Sequence, residues 1–129
     1  MNQRQLGFGE AINIVLAQNY CNFTGRASRS EYWWWVLFMA LLGFVIGFLL
    51  GIIGASATTV QVIQSLVSLI FLLPGLGVAV RRLHDINKSG WWLFLALIPL
   101  VGAIILIIWF CKPSDPGINA YGDEPYVQY

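Results

Sequence analysis

Charge is what this sequence has least of. Asp, Glu, Lys and Arg make up 10% of its 129 residues, where a soluble domain carries about 25%. One His and two Cys leave too few ligands for a zinc or iron–sulfur site built from those residues alone. A net charge of +1 provides no electrostatic footprint for nucleic acid. An apolar content of 58% excludes intrinsic disorder. No cofactor-binding motif and no metal-ligand spacing is present. The composition points to one integral membrane domain over 1–129.

The uncharged gaps set out the architecture. No Asp, Glu, Lys, Arg or His occurs between Tyr32 and Val80, or again between Ser89 and Cys111. As one helix the first gap would be about 74 Å long, against a hydrocarbon core of ~30 Å, so it must fold back. The small, polar stretch Ala55-Ser56-Ala57-Thr58-Thr59 is where the turn is expected. The fold class predicted is all-α, with three transmembrane helices over 32–54, 60–80 and 91–110 and a polar tail over 112–129. Pro74-Gly75 in the second span and Pro99 in the third are expected to bend those helices. Ahead of them, Phe8, Ile12, Val15 and Leu16 recur at helical spacing, predicting a short amphipathic helix over about 6–20 that is too polar to span.

Ser28-x-x-Glu31 has the spacing of a capping box at the start of the first span. Tyr32 to Trp35, with Trp91 and Trp92, supply aromatic anchors at one interface, and Trp109 is expected at the other. Arg4, Arg26 and Arg29 precede span one, and Arg81, Arg82 and Lys88 lie between spans two and three. With three crossings these six cations share one side, Lys112 lies on the other, and the positive-inside rule predicts a cytoplasmic N-terminus and an external C-terminus. A re-entrant segment would upset that assignment. On the same topology Cys21 and Cys111 lie near opposite faces and should not form a disulfide.

Two polar features stand out. In span two Gln61, Gln64, Ser65 and Ser68 form one stripe at i, i+3, i+4, i+7, which should face protein or water rather than lipid. Gly43, Gly47 and Gly51 make a flat strip on span one, suited either to packing against that stripe or to homodimerisation. The second feature is a charged collar of Arg26, Arg29, Glu31, Arg81, Arg82, His84, Asp85 and Lys88. It could be a salt-bridged structural ring, with Arg81 pairing Asp85 and Glu31 pairing either Arg81 or Arg82, or it could receive anionic phospholipid headgroups. An acid–base pair of His84 and Asp85 is disfavoured, because neighbours on a helix point about 100° apart. A metal site from His84, Asp85 and Glu31 lacks a known ligand spacing. Catalysis is not expected.

Three pieces, FTGRASRSEYWWW, RRLHDINKSGWW and KPSDPGINAYGDEP, resemble in this order and spacing the family of small bacterial inner-membrane proteins known as domain of unknown function 805. The resemblance runs from about Tyr20 to Pro125. It carries over Phe23, Gly25, Arg26, Arg29, Glu31 and Trp33, then Arg82, Leu83, His84, Asp85, Ser89, Gly90 and Trp91, and in the tail Gly117, Asn119, Tyr121, Gly122 and Pro125. The tail departs from the pattern at Ser114, where Gly is expected, and at Asp123, where Pro is frequent. The resemblance implies a bacterial plasma-membrane protein and supplies no activity. Two functions follow as expectations. The first is a structural or interaction protein that binds lipid headgroups or a membrane partner through the collar, possible partners including a second copy. The alternative is a transporter or channel subunit lined by the Gln61–Ser68 stripe.

Overall fold

The computed structural model describes residues 2–128. It is helical apart from one two-residue strand pair. The order is β1 (Asn2–Gln3), α1 (Phe8–Asn13) running into a π-helical turn (Ile14–Gln18), α2 (Arg29–Ile52), α3 (Ala57–Ile70), α4 (Leu72–Asp85), a 3₁₀ helix (Gly90–Leu97), α5 (Val101–Cys111) and β2 (Val127–Gln128).

Local chemistry fixes the ends of these helices. The Ser28 hydroxyl accepts from the Glu31 N–H at the start of α2. The Glu31 carboxylate turns elsewhere, so the capping box is only half made. At the far end Gly54 takes φ +75°, its N–H donates to Gly51 O, and the Ala55 N–H donates to Leu50 O. This is a Schellman closure, which needs the left-handed conformation that glycine adopts most easily. Ser56 then caps α3 by accepting from the Thr59 N–H. The turn, at 53–56, overlaps the expected one at 55–59, and Ala57–Thr59 already belong to α3.

Residues 60–80 do not form one straight helix. The chain bends by 52° between α3 and α4, at Phe71. Pro74 has no N–H to give to Ile70 O, and that carbonyl instead accepts from the Tyr20 hydroxyl. The proline sits in the first turn of α4, where a missing N–H is tolerated. Phe71 fills the elbow against Trp35 and Phe38, with ring centroids 6.0 and 5.9 Å away.

The expected third span is the main correction. Over 91–110 the chain forms a tight helical hairpin rather than one helix. Ile98, held extended (φ −86°, ψ 110°) by the proline that follows, ends the 3₁₀ helix. Leu100 then takes φ 64°, ψ −60°, and the Val101 N–H reaches Pro99 O at 2.7 Å, a strained γ-turn. The arms close so far that a Cβ at Gly102 would lie 1.6 Å from Leu95 O. At ~2.0 Å per residue for the 3₁₀ arm and ~1.5 Å for α5, each arm is about 16 Å long, roughly half a hydrocarbon core. Among the described residues α2 alone is long and apolar enough to cross a membrane, α3 and α4 qualify together as one bent span, and α5 is short.

Because the hairpin returns, the two chain ends meet. β1 pairs antiparallel with β2, Asn2 opposite Gln128 and Gln3 opposite Val127. The C-terminal tail therefore lies at the same end as the N-terminus, not on the opposite face. Trp109 packs edge-on against Trp92 at 5.6 Å, so it too belongs to this end. Cys21 and Cys111 are both free and exposed.

The tertiary core sits at this end as well. One cluster joins Val15, Ala27, Trp35 and Val78, a second Leu6, Ala11 and Ile14, and a third Leu83, Leu106 and Phe110. The inward face of the N-terminal helix is wider than the expected one. Val15 is buried with Ile12 and Leu16 packed beside it, Ala11 and Ile14 are buried as well, and Phe8 stays exposed. The other end is different: α3 has no buried residue, and α2 buries only Glu31 and Trp35, both in its first two turns. Phe44, Phe48, Ile52, Leu66 and Leu69 stand exposed, as suits a surface solvated by lipid tails.

Candidate functional site

The last turn of α4 places Arg81, Arg82 and Asp85 inside the polar end, all buried. Asp85 is the hub. Its Oδ1 accepts from Arg26 Nε at 3.0 Å, and its Oδ2 accepts from Arg82 Nη1 and Ser114 Oγ, each at 2.5 Å. Two guanidinium groups around one carboxylate leave an excess positive charge in a dry site, which backbone carbonyl dipoles offset. Arg26 donates to Gly117 O at 2.7 Å, to Gly122 O at 3.2 Å and to Asp115 O. Arg82 donates to Phe110 O from both Nε and Nη2 at 3.3 Å, and to Lys112 O.

These acceptors explain how the short α5 is held. The last carbonyls of a helix have no partner within it and carry its negative dipole end. Here Arg82 and Trp33 Nε1 (3.1 Å) serve Phe110 O, and Arg29 Nη1 serves Cys111 O at 3.0 Å. Arg29 at the start of α2 and Arg82 on α4 thus pin the returning arm of the hairpin.

A second node lies beside the first. Arg81 Nη1 donates to Glu31 Oε1 at 2.7 Å, and the Tyr126 hydroxyl donates to Glu31 Oε2 at 3.3 Å. Burial, then the neighbouring Glu31 charge, pushes the Tyr126 phenol above its ordinary range. Among the described residues Arg81 Nε and Nη2 have no partner. Of the pairings open from the sequence, the structure joins Glu31 to Arg81, and Asp85 to Arg82 and Arg26, not to Arg81.

His84 is set apart from Asp85. Its Nδ1 lies 3.0 Å from Gly25 O, and its ring stacks on Tyr121 at 4.0 Å with planes 2° apart. Asn119 donates to its backbone carbonyl at 2.9 Å. Asp85 is fully engaged by arginines and a hydroxyl, so it does not orient the imidazole. Among the described residues no three His, Cys, Asp or Glu side chains gather as metal ligands. Arg29 is exposed, and Lys88 is half-buried with its Nζ 4.5 Å above the Trp109 ring.

The α3 stripe divides. Gln64 turns towards α2 and donates to Gly43 O at 2.8 Å; its amide also lies 3.5 Å from where a Gly47 Cβ would be. Gln61, Ser65 and Ser68 are exposed, and with Gln64, Leu69 and Leu72 they line an open groove of about 450 Å³.

Buried charge at one end, an apolar body at the other and a tail folded over the charged motifs describe the architecture into which three separate sequence pieces assemble. Residues 20–123 match the family described as protein of unknown function (DUF805). The chain belongs to the DUF805 family. It is 37% identical over 112 residues to inner membrane protein YhaI of Escherichia coli (strain K12), covering 87% of this chain and 92% of that one. It is 37% identical over 116 residues to inner membrane protein YhaH of the same strain, covering 89% and 96%. It is 34% identical over 86 residues to uncharacterized protein YiiR, covering 66% and 56%. No solved structure matches it. The chain is accordingly a bacterial inner-membrane protein.

Sequence reasoning missed several members of this DUF805 network. The tail reads as a solvated string of turns, yet Ser114, Gly117, Asn119, Tyr121, Gly122 and Tyr126 all contact the charged motifs. A signal was available. Gly117, Asn119, Tyr121 and Gly122 are the tail positions carried by the family resemblance, and the Arg-rich motifs needed more acceptors than Glu31 and Asp85 could supply. Lys112 and Trp109 were placed on the wrong face because the hairpin was read as a span.

Proposed function

We propose that this DUF805 protein is a membrane scaffold rather than an enzyme. It crosses the bilayer twice, through α2 and the bent α3–α4 pair, and dips once more through the hairpin. Its polar end lies in the cytoplasm and engages anionic phospholipid headgroups. The observation that carries this reading is the division among its cations. All seven Lys and Arg side chains belong to the one polar end, the arrangement the positive-inside rule favours on the cytoplasmic side. Arg26, Arg81 and Arg82 are spent on internal partners. Arg4 pairs with Glu10, and Arg29, exposed but with one nitrogen on Cys111 O, stands with Lys88 and Lys112 around the foot of α5, where the two lysines flank a cleft of about 300 Å³. Cations at the inner-leaflet surface are each worth about 1 kcal/mol towards anionic lipid.

The test is lipid selectivity of the full chain, read by native mass spectrometry with added phosphatidylglycerol or phosphatidylethanolamine. The Arg29→Gln/Lys88→Gln/Lys112→Gln variant should lose at least tenfold of the preference for the anionic lipid. An unchanged preference would refute the rim as the site. For topology, single cysteines at Asn87 and Ile118, in a chain lacking Cys21 and Cys111, should both react only from the cytoplasmic side. Opposite sidedness of the two probes would overturn the two-crossing arrangement.

A further inference from the structure

We infer that the protein associates with a second copy of itself through the exposed row of α3. The argument starts from where that row sits. Ser56 caps α3 at the uncharged end, so Gln61, Ser65 and Ser68 descend from about 7 to about 18 Å along the helix, at 1.5 Å per residue. This is hydrocarbon depth. Their neighbours Val62, Leu66, Leu69 and Ile70 are exposed apolar side chains, which lipid solvates without cost. An amide and two hydroxyls on the same surface have no lipid partner, and polar groups of this kind act as contacts between membrane helices. The structure already contains an example: Gln64, one turn along, reaches across to Gly43 O on α2.

The chemistry selects the occupant. Gln61 both donates and accepts, and so do Ser65 and Ser68, so the row is complementary to itself. A second copy inserted in the same orientation brings the same row to the same depth. A two-fold axis along the bilayer normal then sets Gln61 opposite Gln61 and serine opposite serine, as an isologous interface requires. The groove of about 450 Å³ gives the partner helix room to approach, with Leu69 and Leu72 at its lower edge. The glycines of α2 are not this interface, since Gly43 and Gly47 already face Gln64 within the chain.

Disulfide trapping in native membranes tests the inference. In the full chain lacking Cys21 and Cys111, single cysteines at Gln61, Ser65 and Ser68 should form dimers on mild oxidation. Cysteines at Phe44 and Phe48, exposed on α2, should not. Gln61→Leu/Ser65→Ala should weaken association about tenfold in a dilution series read by resonance energy transfer between labelled copies, with the monomer fold unchanged by circular dichroism. Dimers trapped at Phe44 and Phe48 instead would place the contact on another face and overturn the proposal. Monomers throughout would overturn it too. In that case, reaction of the Ser65 probe with a water-soluble maleimide would indicate an aqueous conduit, and silence would indicate a lipid-covered groove.

Discussion

The two ends of this molecule are held by opposite means. At the polar end, Glu31, Arg82 and Asp85 are fully buried and their charges are met by designated partners. In the apolar body, α3 buries nothing and much of α2 faces outward. The difference follows from the solvent. Lipid solvates a leucine as well as another leucine does, so apolar contact between spans has little driving force. Unpaired polar groups are the expensive ones, and the chain gathers its charges at one end, where the buried ones are paired. Tertiary specificity in this protein therefore resides in its ion network and the backbone carbonyls around it.

Several substitutions would break or sharpen that contrast. The largest effect belongs to Asp85→Ala, which strands Arg26 and Arg82 together in a dry site. We expect a loss of roughly 3–5 kcal/mol, the range for opening a buried pair, read as thermal unfolding of the detergent-solubilised chain and as early proteolysis of the 112–128 tail. Gly102→Ala comes next. Its new Cβ cannot coexist with Leu95 O at 1.6 Å, so the hairpin must open, at a cost of about 1–3 kcal/mol in the same melt. Tyr20→Phe removes the hydroxyl that satisfies Ile70 O and should cost about 1 kcal/mol; Pro74→Ala, which restores an N–H for that carbonyl, should suppress part of the loss.

Tyr126 sharpens the comparison through pH. Its folded-state phenol is held above the ordinary value of 10.0, so the protonated form is the one the fold favours. The contribution is complete below pH 10 and drains away as pH rises from there towards the folded value. Melts of the native chain should thus show an alkaline loss of stability that is smaller in Tyr126→Phe. The smallest effect is expected from Phe44→Ala on the lipid face of α2. In a soluble core such a change costs about 3–5 kcal/mol; here the ring meets lipid whether or not the helices are docked, and the shift should stay below about 0.5 kcal/mol.

What could be read from the residues tracks what depends on local rules. Charge gaps located α2 and the apolar stretch that begins after Ser89, and the small polar residues at 55–59 located the turn to within two or three residues, because insertion depends on runs of apolar residues. Ser28 was legible as a cap, and Pro74 as a bend. The hairpin was not legible. Its reversal rests on a leucine with positive φ, for which sequence carries no signal beyond the adjacent Pro99 and the small Gly102. Misreading it moved Lys112, Trp109 and the tail to the wrong side. Within the site, the Glu31–Arg81 pair was among the pairings open from the sequence, whereas the turn of Asp85 to Arg26 and the use of backbone carbonyls at Phe110, Gly117 and Gly122 as acceptors follow from how the tail folds back.

The span of these contacts has a consequence for biogenesis. Arg26 finds its final acceptors 91 and 96 positions later, at Gly117 and Gly122. On the topology proposed above, that guanidinium lies just before the first crossing and lacks these acceptors while the hairpin is being made, so it would act as a positive marker for the insertion machinery. Only when the tail emerges does the same group become interior structure. One side chain would then serve first as a topology signal and afterwards as a closing bond, and a nascent chain stalled before Gly117 would keep the signal without the closure to Gly117 and Gly122.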